Sequence, residues 1–252
     1  EVIKEDGTSR IPVQLIFTRG EEIGLVGARN LDFSMIQAKQ AVVFDGNGPV
    51  NMVTTASPTY IRFDVRITGR SAHAGVEPEK GLSAIKIAAD IITNLPQGRL
   101  DSETTINIGS ISGGSVRNTV PEEATFSGEF RSRSTETLDL LRLQITAALD
   151  SAREQYIEAK IVEDLNVEFH TYTLPNDHEM VQRASKVLEN IDLTPNLGPT
   201  GGGTDANVFN RRGIPSVVVG MSTNLMHTNR EYVDIPDLIN TARFCRALLI
   251  SR

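Results

Sequence analysis

Two adjacent glutamates, Glu21 and Glu22, follow the apolar run Val13-Gln14-Leu15-Ile16-Phe17 and the short stretch Thr18-Arg19-Gly20. Neighbouring carboxylates repel, so a partly buried site keeps such a pair chiefly where a cation or a proton relieves the repulsion. One carboxylate can then hold a metal while the other takes a proton from a metal-activated water. Helix capping explains the pair as well, since acidic residues at a helix start are favourable by about 0.3–1 kcal/mol; alone, the pair favours capping. Asp45 enters the turn Asp45-Gly46-Asn47-Gly48-Pro49. It is either a hard oxygen ligand at a strand end or simply a turn residue. His227 stands in the polar stretch Leu225-Met226-His227-Thr228-Asn229-Arg230-Glu231, where an imidazole could ligate a metal. Each signal is weak alone, but all three fall just beyond apolar runs that read as buried strands.

Further polar groups could meet a substrate. His73, in Gly69-Arg70-Ser71-Ala72-His73-Ala74-Gly75, is flanked by small residues that leave its ring open to a polarised carbonyl oxygen. Asn118, in Arg117-Asn118-Thr119-Val120-Pro121, and Arg131 could grip a substrate carboxylate. Gly202 and Gly203, within Gly201-Gly202-Gly203-Thr204-Asp205, could expose backbone N–H groups to an anion, or form only a flexible loop. The stretch lacks the Gly-Lys-Ser/Thr ending of a nucleotide loop. His170 and His178 read as structural.

The elements that must position these groups fall into two patterns. Val13–Phe17, Ala41–Phe44 and Ile214–Val219 are short, almost continuously apolar runs, separated by helical spacing at Ile23–Leu31 and Met180–Leu188 and followed by more at Ile239–Leu249. Such runs mark a mostly parallel, helix-covered sheet. From Tyr60 the apolar residues alternate instead, with Ile61, Phe63, Val65 and Ile67 facing one way. A helix over 81–95, strands over 104–111 and 124–131, a helix through Leu138, Leu141, Ile145 and Leu149, and a strand over 159–169 complete a β-α-β-β-α-β order. The fold class expected is therefore α/β, with a catalytic domain over 1–57 and 172–252 and an inserted α+β domain over 58–171.

Composition narrows the function. Hydrophobic residues make up 39% and charged residues 23% of the 252, and the net charge of −7 disfavours a nucleic-acid partner. No run reaches the roughly 18 apolar residues of a membrane helix. The single cysteine, Cys245, sits on an apolar helix face among Ala242, Phe244, Ala247 and Leu248, so a structural thiol in a reducing, cytoplasmic setting is expected.

The stretches Phe17-Thr18-Arg19-Gly20-Glu21-Glu22-Ile23-Gly24, Phe44-Asp45-Gly46, the His73 and Asn118 motifs, Gly202-Gly203-Thr204-Asp205 and Met226-His227 occur in an order that resembles the M20 metallopeptidases, within them the peptidase T-like branch. The resemblance implies a catalytic α/β domain with two divalent metals, usually zinc, with cobalt or manganese as alternatives. It also implies a smaller inserted lid domain that often makes a homodimer, and short peptides as substrates. It casts Glu21 as general base, Glu22 and His227 as ligands of one metal, and Asp45 as a ligand of the second. His73 is cast as a group that steadies the developing oxyanion, and Asn118, Arg131, Gly202 and Gly203 as substrate-positioning groups. The family's His-x-Asp motif and its bridging Asp lie upstream of the glutamate pair; here no His precedes Glu21, and Asp6 is a poor candidate for the bridge. The expectation is therefore a fragment of a longer peptidase, opening on a helix tail at residues 1–6 and inactive by itself. The alternatives are a related amidohydrolase of N-acyl amino acids and a non-catalytic dimerising module.

Overall fold

The computed structural model describes residues 12–250 and divides into two compact units, residues 12–57 with 169–250, and residues 58–168. The helix tail expected over residues 1–6, with Asp6, lies outside the described residues.

The first unit is built on a six-stranded mixed sheet in the order β1-β10-β2-β8, with β9 also on β2 and β11 also on β10. β10 (Ser216–Asn224) is its centre, because Val217, Val218 and Val219 bury both faces of the strand. β1 (Ala41–Asn47) runs parallel to β10, and β2 (Met52–Ser57) runs antiparallel to it. β9 (Asn196–Pro199) is parallel to β2, while β8 (Tyr172–Thr173) and β11 (Tyr232–Val233) are short antiparallel edges. Helix α4 (Glu179–Glu189) packs Met180, Val181, Ala184, Val187 and Leu188 into the core, the spacing of one helical face. His178 caps that helix, its Nδ1 accepting from the Met180 N–H at 3.1 Å, which is a structural task as the sequence suggests. Helix α6 (Ile235–Ile250) contributes Phe244, and Cys245 beside it is half-buried, with burial pushing its thiol pKa up and away from reactivity.

Three local expectations change. Val13–Phe17 is an extended segment rather than a buried strand, with Leu15 69% and Phe17 92% exposed and no sheet partner among the described residues. An apolar, β-favouring run becomes a strand only beside an open sheet edge; here the Gln14 side chain tethers it instead, donating to the Met35 carbonyl and accepting from the Gln37 and Ala38 N–H groups. The expected helix over 23–31 contracts to α1 (Val26–Arg29) and a 3-10 turn at Phe33–Met35. β1 does not stop at Phe44 but continues through Asp45, with a register shift at Gly46. A Cβ at Gly46 would stand 2.8 Å from the Val219 carbonyl oxygen, so only glycine permits that approach.

The second unit pairs its strands in the order β4-β5-β6-β3-β7. Along the chain these are β3 (Thr59–Thr68), α2 (Ala84–Thr93), β4 (Gly98–Arg99), β5 (Thr105–Gly113), β6 (Glu123–Ser132), α3 (Thr135–Gln155) and β7 (Lys160–Phe169). This is the split β-α-β-β-α-β order with one short strand added. Ile61, Phe63, Val65 and Ile67 of β3 and Ala124, Phe126 and Phe130 of β6 face the helices. α2 returns Ile87, Ala88 and Ile91, and α3 returns Leu138, Leu141, Ile145 and Leu149. The other sheet face is polar, with Arg62 paired to Asp64 and Glu168, and Ser127 donating to Asp64. Ser83 and Ser134 cap the two helices through the Lys86 and Thr137 N–H groups.

One buried group works against this packing. Tyr172 is 8% exposed, its hydroxyl has no hydrogen-bond partner among the described residues, and burial raises its pKa. An unpaired buried hydroxyl costs about 1–3 kcal/mol. Tyr172→Phe is therefore expected to leave stability to chemical denaturation unchanged or higher; a loss above about 1 kcal/mol would show that the hydroxyl is bonded in solution.

Candidate functional site

The glutamate pair sits on a turn that glycines make possible. Gly20 and Gly24 take φ values of 67° and 98°, and Gly27 presents its bare face to the strand-like segment before the pair. A Cβ at Gly27 would stand 2.6 Å from the Arg19 backbone. The Gly24 and Leu25 N–H groups bond to the Glu21 carbonyl, Val26 N–H to Gly20, and Gly27 N–H to Arg19 at 2.9 Å. α1 starts from Leu25 with no side-chain cap and no acidic residue in its first turn, so capping is not what Glu21 and Glu22 do. Nor is Asp45 a turn residue, since it lies inside β1.

The first unit brings four of the sequence-selected groups together. His227, held at a positive φ of 64° in the loop between β10 and β11, places its Nδ1 3.7 Å from Oε1 of Glu22. Its own N–H donates to Glu231 at 3.1 Å. A non-glycine residue at positive φ carries strain that the surrounding loop must hold. Glu21 is half-buried, and its pKa rises from 4.5 to about 7 through burial first, then the charges of Asp45, Glu22 and Asp205. Asp45 rises from 3.8 to about 6 through burial, Asp205 and Glu22, with His227 pulling the other way.

Asp205 is the residue that sequence reasoning passed over. It opens helix α5 (Asp205–Arg211) after a Thr204/Asn207 capping box and is only 8% exposed. Oδ2 accepts from the Thr18 hydroxyl at 2.5 Å, while Oδ1 is buried without a partner among the described residues. The available signal was a Thr-Asp pair at the start of a helix, three glycines after a strand.

Glu22 and His227 are spaced as two ligands of one divalent cation. Two ligands about 2.0–2.1 Å from one tetrahedral zinc lie about 3.4 Å apart, close to the 3.7 Å between Glu22 and His227. Glu22 and Asp45 act on the His227 imidazole, Asp45, Glu22 and Asp205 act on Glu21, and Asp205 keeps an oxygen without a donor. Among the described residues no three His, Cys, Asp or Glu side chains converge as a complete metal site requires.

The crowding predicts a pH dependence for the metal-free protein. Both folded pKa values lie above the unfolded ones, so the folded state binds more protons between about pH 4 and pH 7. The stabilisation is present below the unfolded values and lost as pH rises through about 6 and 7. Both groups keep contact with water, which screens the effect. Tm measured in chelator should fall from pH 5 to pH 8, and fall less in the Glu21→Gln/Asp45→Asn double variant; equal slopes in the two proteins would refute the coupling.

The remaining selected residues separate. In the second unit an antiparallel bridge joins His73 to Thr119, with Ala74 N–H on the Asn118 carbonyl at 3.0 Å, so His73 and Asn118 share one exposed corner. His73 Nδ1 accepts from the Gly75 N–H at 3.2 Å, which puts the proton of a neutral ring on Nε2. A cleft of about 490 Å³ beside this bridge is lined by Ser71, Ser112, Thr119 and Thr125 among others, and by neither His73 nor Asn118. Arg131 lies towards the opposite end of β6, eight residues and about 26 Å from Glu123 at the usual strand rise. It pairs with Glu129 at 2.7 Å and lies over the Tyr60 ring at 4.4 Å. The structure therefore does not gather Arg131 with His73 and Asn118. In the first unit the Gly202 N–H is spent on Thr200 Oγ1, and a Cβ at Gly203 would stand 2.2 Å from the Phe169 ring. Packing accounts for that glycine without an anion. His170 is structural in setting: its carbonyl accepts from Asn207 Nδ2 at 2.8 Å, and burial and then Arg211 lower its pKa.

Known proteins resemble this chain in sequence and in fold. The family model described as Peptidase dimerisation domain matches residues 55–157, and that described as M42 glutamyl aminopeptidase matches residues 115–244. The uncharacterised protein YqjE of Bacillus subtilis (strain 168) is 36% identical over 249 residues, 99% of this chain and 67% of that protein. The crystal structure of aminopeptidase PepT from Bacillus cereus ATCC 10987 superposes with a TM-score of 0.83 at 36% identity, covering 92% of this chain and 62% of that one. That of a tripeptidase (SAV1512) from Staphylococcus aureus Mu50 superposes with a TM-score of 0.93 at 29% identity, covering 98% and 66%. The chain thus spans about two thirds of each of these relatives. Matched to such peptidases over 92% and 98% of its own length, and to the dimerisation-domain model over residues 55–157, the chain belongs to the M20 peptidase family, in its peptidase T-like branch.

Proposed function

We propose that the protein is a metal-dependent exopeptidase of short peptides, with Glu21 as its general base. The observation that supports this most is the cluster at the ends of β1 and β10: Glu22 faces His227 at 3.7 Å, and Glu21, Asp45 and Asp205 crowd beside them. In this reading Glu22 and His227 hold one divalent ion and Asp45 helps to hold a second, with zinc as the metal and cobalt or manganese as substitutes. When bound, the two ions supply Lewis acidity toward a water and a peptide carbonyl. Glu21 takes the proton of the attacking water on a carboxylate oxygen and passes it to the leaving amine nitrogen. His73 and Asn118 are substrate-contacting groups of the same reading, and Nε2–H of His73 is the donor for a carbonyl oxygen. Neither Arg131, held by Glu129 and Tyr60, nor Gly203, held by Phe169, gains support for such a role. Residues 58–168 make the homodimer in this reading, and the single free thiol suits a cytoplasmic location.

A tight zinc site wants three or four protein ligands, and among the described residues no three converge. The 252-residue chain by itself is therefore expected to bind zinc weakly and to turn over little substrate. Calorimetric titration that gave two tight zinc sites per chain would contradict this.

The substrate class separates this reading from its nearest rival, an amidohydrolase of N-acyl amino acids. Assayed in an active protein, one that carries this chain together with a complete set of metal ligands, unblocked tripeptides should be cleaved and N-acetyl amino acids should not. Faster turnover of the acylated amino acids would transfer the site to the rival. A non-catalytic dimerising module is disfavoured by the cluster itself, which such a module has no reason to assemble.

A further inference from the structure

We infer that Asp205 is a positioning residue for the Glu21–Glu22 turn, acting through Thr18, and that its free oxygen completes the polar environment of the bound cations. This rests on the metallopeptidase reading for its second half and on geometry alone for its first. Thr18 lies three residues before Glu21 and is joined to Asp205, 187 residues away in sequence, by a hydroxyl-to-carboxylate hydrogen bond of 2.5 Å. A charge-assisted O–H···O bond of that kind is among the stronger contacts a side chain can make. Gly27 holds the same segment, its N–H donating to the Arg19 carbonyl and its missing Cβ leaving room for the Arg19 backbone. Thr18–Gly20 is therefore held by two contacts, and the direction in which Glu21 and Glu22 leave the turn follows from both.

Asp205 is itself well anchored. Thr204 and Asn207 close a capping box around it, and Asn207 reaches on to Ser57 Oγ and the His170 carbonyl. Val208 and Phe209, next along α5, pack against Leu25 and Ala28 of the segment that follows the pair. The helix start thus adds a side-chain anchor to a glycine-rich turn that is otherwise held by its own backbone hydrogen bonds. The carboxylate spends Oδ2 on Thr18 and keeps Oδ1 buried and unbonded among the described residues. Such an oxygen is costly to maintain unless a donor or a cation meets it.

The test uses Thr18→Val, Thr18→Ser and Asp205→Asn in two measurements. Amide hydrogen exchange at Leu25 and Val26, which bond to the Glu21 and Gly20 carbonyls, reports the turn without any metal. Exchange there should quicken in Thr18→Val and stay near wild type in Thr18→Ser, with the remaining amides unchanged. Zinc affinity of the active protein should fall by about 10–100-fold in Thr18→Val and Asp205→Asn, the range for partners that orient metal ligands, and recover in Thr18→Ser. Unchanged exchange in Thr18→Val overturns the anchor, and unchanged zinc affinity in Asp205→Asn overturns the role toward the cations. A wild-type protein that binds no metal defeats the metallopeptidase reading, and with it the cation half of this inference; the exchange measurement still decides the anchor.

Discussion

Glu21→Gln should lower tripeptide turnover by about 10²–10⁴-fold, the usual worth of a positioned general base, while metal content stays at the wild-type level. The amide has the shape of the carboxylate but cannot accept the proton of an attacking water. In the metal-free protein burial and three neighbouring carboxylates lift its pKa to about 7. Glu22, its neighbour in sequence, is mostly exposed and lies 3.7 Å from His227, so the pair divides between proton transfer and cation binding. The two functions are separable by experiment. Loss of kcat with retained metal identifies the base; loss of both together would make Glu21 a ligand, and near-normal kcat would remove it from the mechanism.

Phe63→Ala should destabilise the second unit by about 3–5 kcal/mol, the range for deleting a fully buried aromatic ring. Phe63 is 0% exposed and meets Phe126 and Phe130 with ring centroids 6.5 and 6.2 Å away. Its ring also occupies the space that a side chain at Gly128 would need, 2.4 Å from a Cβ built there. The glycine supplies no side chain to refill the cavity, so the site can collapse only by moving backbone. With domain stabilities of about 5–15 kcal/mol, such a loss is large enough to unfold much of the unit near 37 °C. Chemical denaturation should show it, and a loss below about 1 kcal/mol would mean that the core repacks freely.

The second unit was legible because its sequence period matches its burial. Ile61, Phe63, Val65 and Ile67 alternate and are all buried, and Leu138 through Leu149 follow one helical face. The same logic failed for Val13–Phe17, where apolarity said strand but no described edge pairs with it. Period reports what a segment can do; only a partner decides whether it does so.

The site shows the same division. Glu21, Glu22, Asp45 and His227 were visible as polar residues just beyond apolar runs, and the structure brings them to one place. Asp205 was hidden inside a glycine-rich stretch that drew attention to its backbone, and its importance depends on Thr18, far away in sequence. Arg131 shows what residue type leaves out. The sequence offered it as a clamp for a substrate carboxylate, and in the sheet its guanidinium meets Glu129 and the Tyr60 ring. Glu129 is a neighbour on the same strand face, while Tyr60 comes from β3 by a register that residue type alone does not reveal.

The central claim is that the cluster of Glu21, Glu22, Asp45, Asp205 and His227 is the metal centre of a peptidase. Anomalous diffraction at the zinc edge, from crystals of the active protein grown with zinc, tests it most directly. The account predicts a peak in contact with both Glu22 and His227, and a second in contact with Asp45. Zinc found only at other surface positions, while the protein still cleaves tripeptides, would contradict it.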